Sequence, residues 1–262
     1  MPGSRADQMQ LSLMTWPELE GHLNTGVCAI LPVGSTEQHG PMGLIGTDAL
    51  CAQAVADRAA RICGAIVAPV LAYTPAPFNT AFPGTVSITS ELFAQLVQQV
   101  CAGLLAQGFV GVFVVNGHGA NLDPIAQAQA KLPTGSVAVQ SWWAPEPVNQ
   151  LRQQLYGPWE GMHATPSEVA ITQALFGRRP PGAASEPPEP VSPAYVQAHS
   201  GDRHGPPLEH RAQFPDGRVG SHSALATPED GAVLLDLAAG AIAQECAAFA
   251  SRRKRAGRQS VL

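Results

Sequence analysis

Three side chains that can bind metal ions lie close together in the segment LPVGSTEQHGPMGLIGTD. They are Glu37, His39 and Asp48, in a stretch rich in glycine and proline. Glu37 and His39 are two positions apart, so in an extended segment they project to the same side. The glycines and the proline allow tight turns that bring Asp48 back toward them. Taken alone, this segment also allows Glu37 and Asp48 to be solvated or to cap a helix.

Two later segments each add one candidate ligand. In VFVVNGHGAN, four apolar residues lead into His118, which lies between glycines that leave the backbone open to a close ligand. In WEGMHATPSEVA, Pro166 suits the first turn of a helix that carries Glu168 near its start, and His163 precedes that helix. The alternatives are that His118 belongs to a tight turn and that Glu168 complements the helix dipole.

The combined set contains glutamate, histidine and aspartate but no thiolate. Oxygen and nitrogen donors in this mixture suit Zn²⁺, Mn²⁺ or Fe²⁺. One carboxylate can bridge two ions, and paired ions polarise a carbonyl and lower the pKa of a bridging water to about neutrality. The residues therefore predict hydrolysis assisted by two metal ions.

The candidate ligands are associated with segments that have the pattern of buried strands and helices. Apolar runs at residues 27–33, 65–71, 111–115 and 136–142 predict strands. Helices are predicted at 47–63, at 122–131, at 229–249, and along an apolar face from Leu92 to Leu105 that Thr89 or Ser90 caps. This alternation predicts a single-domain α/β protein, a three-layer α/β/α arrangement with a mainly parallel central sheet. Such sheets bind ligands beyond the carboxyl ends of their strands.

Length and composition favour one domain for these elements. The chain has 262 residues, of which 45% are hydrophobic and 13% charged, so it can bury an extensive core. We predict a domain over residues 16–250, with a flexible N-terminal segment at 1–15 and a basic C-terminal tail at 251–262. The proline-rich stretch 178–193 is predicted to be a long loop on this domain.

Charge and cysteine content narrow the expected partners. A net charge of −5 gives no broad positive surface for nucleic acid or anionic lipid, so a small-molecule substrate is expected. The five cysteines are odd in number and widely spaced, which indicates free thiols. No signal-peptide pattern and no window of ~20 apolar residues is found, so we expect a cytoplasmic protein with no membrane span.

The order of the motifs resembles that of the creatininase, or creatinine amidohydrolase, family. The resemblance rests on GSTEQHGP followed by Asp48, on FPGTVS at residues 82–87, on NGHGAN, on His163 with Glu168, and on DGRVGSHSALATPEDGAVLL. It implies a creatininase-like fold and two divalent ions per subunit, with zinc first and manganese or iron as alternatives. It also implies a homo-oligomer, a hexamer built as a trimer of dimers.

The resemblance further implies a role for each residue. Asp48 would bridge two ions, of which one is also bound by Glu37 and His118 and the other by His39 and Glu168. A metal-bridging hydroxide would attack an amide carbon, with Glu37 and His163 as catalytic residues and His163 protonating the departing nitrogen. The residues expected to contact the substrate are Trp159, Asn121 and Gly119.

Two departures from the family pattern concern the pocket. Creatininase itself has a glutamate two residues after the histidine of its GHYEN motif, and this chain has Ala120 there. Met42 replaces a frequent histidine, and GLIG replaces the following LPL pattern. We therefore expect hydrolysis of a non-peptide amide, cyclic amide or formamide other than creatinine. The alternatives are hydrolysis of a peptide, lactone or cyclic ketone, and metal binding without catalysis.

Overall fold

A four-stranded sheet forms the middle layer of the fold. The structure is a computed structural model that describes residues 9–259. The strands are β1 (Ala29–Val33), β2 (Ile66–Val67), β3 (Val112–Asn116) and β4 (Val137–Ser141). They are parallel throughout, in the order β2-β1-β3-β4. The predicted α/β class with a mainly parallel sheet is confirmed.

Helices cover both faces of this sheet. One face packs against α1 (Trp16–Leu23), α3 (Ser90–Ala106) and α4 (Leu122–Gln129). The other packs against α2 (Thr47–Cys63), α5 (Glu146–Tyr156), α6 (Pro166–Phe176) and α9 (Pro228–Gln259). Between α6 and α9 the chain forms two short helices, α7 (Pro193–Ala198) and α8 (Pro207–Gln213).

Strand residues contribute alternately to two separate cores, because successive side chains of a strand point to opposite faces of the sheet. Ile30 and Phe113 lie in the core beneath α2 and α9, whereas Leu31 and Val114 lie in the core beneath α3. Every residue of β1 and β3 is buried. Burial on both faces explains why these strands form continuous apolar runs in the sequence.

Most predicted elements agree with the structure, and the second strand is the main exception. α2 has the predicted bounds, and Thr89 caps α3 by accepting a hydrogen bond from the Leu92 amide at 3.2 Å. β2 has only two residues, although an apolar run at 65–71 predicted a longer strand. Pro69 cannot donate a ladder hydrogen bond, and the chain meets β1 again through a single bridge at Leu71.

The folded domain extends beyond the predicted boundaries at both ends. Residues 1–8 of the expected flexible segment and 260–262 of the expected tail lie outside the described residues. Leu11–Leu13 form a 3-10 helix, and Met9 and Met14 pack against the core, so residues 9–15 belong to the domain. α9 continues to Gln259, so the basic residues at its end are helical. Arg253 Nε donates to the Val110 carbonyl oxygen at 3.0 Å.

Within the part of the chain that the structure describes, α9 alone is long and apolar enough to cross a membrane by length and composition. Its inner side packs against α2 and α6, where Leu234, Leu235 and Ile242 are fully buried. A core helix of a globular domain meets the same criteria. This packing accounts for the apolar composition of α9.

Candidate metal centre

The candidate ligands meet at the carboxyl edge of the sheet, between β1 and β3. From β1 the chain goes to β2 on one side and then to β3 on the other, so the strand order reverses here. Open α/β sheets bind ligands at such a reversal. Glu37 and His39 follow β1, and His118 follows β3. Asp48 and Glu168 come from the first turns of α2 and α6.

Two glycines allow the first turn of α2 to approach the strand ends. A Cβ atom at Gly117 would lie closer than 3.0 Å to the Asp48 carbonyl oxygen, and one at Gly34 would lie equally close to the Ala49 nitrogen. These neighbours are backbone atoms, so a larger residue at either position would displace α2. The glycine next to His118 therefore lets Asp48 lie beside that histidine.

Asp48 faces two different histidines with its two carboxylate oxygens. Its Oδ1 lies 2.8 Å from His39 Nε2, and its Oδ2 lies 3.2 Å from His118 Nδ1. Glu37 Oε1 is 3.1 Å from the same His118 nitrogen, and Glu168 Oε1 is 3.9 Å from His39 Nε2. The ligand atoms thus form two compact groups that share Asp48, one with Glu37 and His118 and one with His39 and Glu168.

Backbone carbonyls hold the histidine nitrogens that point away from the carboxylates. His39 Nδ1 donates to the Glu37 carbonyl oxygen at 3.1 Å, and His118 Nε2 donates to the Pro75 carbonyl oxygen at 2.8 Å. Because a carbonyl oxygen only accepts, these bonds leave His39 Nε2 and His118 Nδ1 available to a cation. Histidines that bind metals are oriented in this way.

Two buried carboxylate oxygens of the centre have no hydrogen-bond partner. They are Glu37 Oε1 and Asp48 Oδ2, and both face His118 Nδ1. An unpaired buried carboxylate is costly, and a neutral His118 held at Nε2 offers no proton on Nδ1. Only an additional proton or a metal cation makes this contact favourable. The residues present therefore fit a divalent ion.

Electrostatics support the same conclusion. Burial acts to lower the pKa of His39, but Asp48, Glu168 and Glu37 outweigh it and raise the pKa to about 10. Burial also acts against charge on His118, and Glu37 and Asp48 raise its pKa well above the usual value. Burial raises the pKa of Glu168. The carboxylates thus require positive charge, which protons on the imidazoles or divalent ions supply.

His163 lies beside the ligands, with its ring centroid 4.5 Å from that of His39. Its Nε2 donates to the Gln38 carbonyl oxygen at 2.7 Å, so Nδ1 is the free nitrogen, 3.7 Å from Glu37 Oε1. Burial and the neighbouring His39 lower the pKa of His163 to about 3, which keeps the ring neutral near pH 7. A neutral imidazole with one free nitrogen can accept a proton. His163 could also bind an ion together with Glu37 and His39.

A cavity of about 200 Å³ lies over the ligands. Gly119, one of the three residues expected to contact the substrate, lines this cavity. The lining residues that were not singled out from the sequence include Trp142, Trp143, Arg152 and Asp202. Arg152 is fixed by Glu160, whose Oε1 accepts from Nε at 2.9 Å. No motif marks these residues, because each enters the cavity from a segment without a recognisable ligand pattern.

The other two predicted substrate contacts are placed differently. Asn121 is fully buried and donates to the Gly34 carbonyl oxygen at 2.9 Å, so it ties the loops after β1 and β3 together. Trp159 packs against His222, with ring centroids 5.8 Å apart, and is not among the residues that line the cavity. Asn79 is a further residue of the site that no sequence motif indicated, and its side-chain amide donates a hydrogen bond to Glu37 Oε2 at 3.1 Å.

A cluster of carboxylates and imidazoles at the reversal point of a parallel sheet places this protein among the α/β proteins with a candidate metal centre. The chain belongs to the creatininase family, because the family model described as creatinine amidohydrolase matches residues 12–246.

The curated relatives of the chain are hydrolases. It is 29% identical over 182 residues to creatinine amidohydrolase of Pseudomonas putida, which covers 62% of this chain and 70% of that protein. It is 35% identical over 170 residues to 3-dehydro-scyllo-inosose hydrolase of Thermotoga maritima, and this match covers 62% of this chain and 55% of that protein. It is 42% identical over 111 residues to mycofactocin precursor peptide peptidase of Mycolicibacterium smegmatis, and this match covers 39% of this chain and 44% of that protein. The last two matches span about half of the relatives' length.

Solved creatininase structures share the fold. One crystal structure of creatininase matches 90% of this chain and 96% of its own, with a TM-score of 0.70 and 26% sequence identity. Similar structures include a manganese form and a Zn–Zn form of a creatininase variant. The modest identity indicates a relative of creatininase rather than creatininase itself. The relatives support a metal-binding hydrolase.

Proposed function

We propose that the protein is a hydrolase with two metal ions per subunit that cleaves a C–N bond other than a peptide bond. The substrate class is an amide, cyclic amide or formamide of a small molecule. The main support is the carboxylate of Asp48, whose two oxygens face separate ligand groups at 2.8 and 3.2 Å. The donor set suits zinc first, with manganese or iron as alternatives. The homo-hexamer implied by the resemblance is part of the same proposal.

Two divalent ions bound here would polarise a substrate carbonyl and lower the pKa of water to about neutrality. His163 offers its free Nδ1 beside Glu37 and can pass a proton from water to the departing nitrogen. Glu37 is held in place by Asn79, which donates to Oε2 at 3.1 Å and leaves Oε1 directed at His118 and His163. Trp142 and Trp143 give the cavity an apolar wall that limits access of bulk water.

The dimensions of the cavity favour a small molecule. Its volume of about 200 Å³ is below the range of about 300–1,000 Å³ that is typical of pockets for drug-sized ligands. Arg152 and the backbone at Gly119 supply polar groups along the wall. A compact amide or cyclic amide fits these properties better than an extended peptide.

Hydrolysis of another bond is the second candidate, and two relatives favour it. The Mycolicibacterium relative is a peptide peptidase, and the Thermotoga relative is a 3-dehydro-scyllo-inosose hydrolase. Chemistry with paired metals is not restricted to amides. The same ligands would therefore serve a peptide, a lactone or a cyclic ketone.

A substrate screen with metal-loaded protein separates these candidates. Protein reconstituted with Zn²⁺ or Mn²⁺ is tested on small amides, cyclic amides and formamides beside peptides, lactones and cyclic ketones. Turnover of a non-peptide amide that is lost on chelation and in Asp48→Ala is the expected result. Turnover of only the second group favours the second candidate. Protein that binds no divalent metal refutes both.

A further inference from the structure

Asp202 brings another carboxylate to the metal centre from outside the recognised motifs. It lies between α7 and α8, and its φ of 54° is in the left-handed region that residues other than glycine rarely adopt. Its side chain is only 12% exposed and lines the cavity. A backbone conformation of this kind persists where surrounding contacts hold it. The contacts of the carboxylate are therefore informative.

The carboxylate lies at ligand distance from a metal-binding nitrogen. Asp202 Oδ2 is 3.6 Å from His118 Nδ1, which also faces Glu37 at 3.1 Å and Asp48 at 3.2 Å. Two ligand atoms about 2.1 Å from a tetrahedral ion are ~3.4 Å apart. The separation between Asp202 and His118 is thus close to that of two ligands on one ion.

The loop after β3 is shaped to receive this carboxylate. The Ala120 amide donates to Asp202 Oδ2 at 3.1 Å. A Cβ atom at Gly119 would lie closer than 3.0 Å to the same oxygen, so a larger residue there would displace Asp202. Ala120 carries no acidic group, and Asp202 places a carboxylate on its amide. The glycine and the amide together position Asp202 next to His118.

We propose that Asp202 is a further ligand of one of the two ions. This rests on the proposed function, because it requires the two-ion centre. The ion concerned would have four protein ligands, which are Glu37, Asp48, His118 and Asp202. The other ion would have three, which are His39, Asp48 and Glu168, and would keep a position for water or substrate. The first ion therefore binds more tightly than the second.

A titration of metal-free protein with Mn²⁺ tests this, with free Mn²⁺ measured by electron paramagnetic resonance. The wild type should bind two ions in unequal steps. Asp202→Ala should weaken the tighter step about 100-fold, the upper end of the loss seen when a partner of a metal ligand is removed, and leave the weaker step unchanged. Asp202→Asn keeps an amide oxygen, so its affinity should fall between those of the wild type and Asp202→Ala.

Asp123→Ala is the matched control. The substitution removes the exposed ion pair between Asp123 and Arg203, which is 2.9 Å long and ties down the residue next to Asp202. It should leave both Mn²⁺-binding steps unchanged. Equal effects of Asp123→Ala and Asp202→Ala would overturn the ligand role, because loop position would then explain both. If Asp202→Ala binds two Mn²⁺ ions with the same two affinities as the wild type, the ligand role is overturned and the proposed function stays intact. A wild type that binds neither Mn²⁺ nor Zn²⁺ would overturn the proposed function itself.

Discussion

Replacing Asp48 by alanine should remove both metal ions, because its carboxylate is shared by the two ligand groups. The substitution takes Oδ2 from the group with Glu37 and His118 and Oδ1 from the group with His39 and Glu168. Loss of an outer-shell partner alone weakens metal binding about 10- to 100-fold, and a direct ligand is worth more. Dialysed protein should therefore fall from about two ions per chain to about none.

Variants that affect one group should behave differently. Glu168→Gln neutralises a ligand that belongs only to the group with His39 and Asp48, so this variant should retain about one ion per chain. A glutamine at position 168 can still form the capping box at the start of α6. Any loss of metal in this variant is therefore not caused by fraying of the helix. Asp57→Ala is the control for Asp48→Ala, because Asp57 also lies on α2, is half-buried and accepts a hydrogen bond from Gln53 at 2.8 Å. It should retain both ions.

Metal content by inductively coupled plasma mass spectrometry, after dialysis against metal-free buffer, measures these differences. Circular dichroism establishes that each variant is folded. A folded Asp48→Ala protein with two ions would refute the bridging role. Loss of both ions in Glu168→Gln would refute the division into two groups.

His163→Ala should lower kcat on a substrate found in the screen by about 10²- to 10⁴-fold, as loss of a general acid–base group does. The metal content should stay unchanged, and a loss of metal would instead identify His163 as a ligand. Gly231→Ala should destabilise the fold by about 1–3 kcal/mol in urea unfolding, because its Cβ would lie closer than 3.0 Å to the Ala170 carbonyl oxygen. Gly240→Ala on the same helix has open space and should stabilise by about 0.5–1 kcal/mol, so equal effects would contradict this packing. Zinc binding at pH 8 should release up to about two protons, from His39 and His118, and should weaken as the pH falls. Calorimetry in buffers of different ionisation enthalpy counts them, and no release would contradict the raised pKa values. The stability of the metal-free fold should depend on pH in the opposite direction to zinc affinity. The raised pKa of His39 contributes stability that is fully present below about pH 6.5 and is lost as the pH rises through about 10.

The sequence predicted best those elements whose pattern is local. The apolar spacing of α2 and the start of α6 at Pro166 were both recognisable, because caps and periodicity lie within the element itself. α7 and α8 have six and seven residues, too few for a period to emerge in a proline-rich stretch. α5 has only a few apolar positions and was also missed. Its place is set by packing on α9 and by the contact of Val148 with the core.

The convergence of the candidate metal ligands could be predicted for a related reason, whereas the residues of the cavity wall could not. Glu37 and His118 follow strands whose carboxyl ends necessarily meet at one edge of the sheet. Asp202 reaches Ala120 across 82 positions of sequence through a segment with no periodic pattern. Trp159 lies near a motif, yet the fold directs Trp142 and Trp143 into the cavity instead. Proximity in sequence does not determine which wall a side chain faces.

A role of Glu168 and Asp48 at the starts of helices is compatible with their role as candidate metal ligands. Glu168 caps α6, since its Oε1 accepts from the Thr165 amide at 2.5 Å, and the same oxygen faces His39. Asp48 likewise occupies the first turn of α2, where a carboxylate complements the helix dipole. The positive helix ends reduce the repulsion among the clustered carboxylates and attach them to rigid elements. An acidic residue at a helix start is therefore an ambiguous signal in the sequence, because the same position that caps a helix also holds a candidate ligand rigidly.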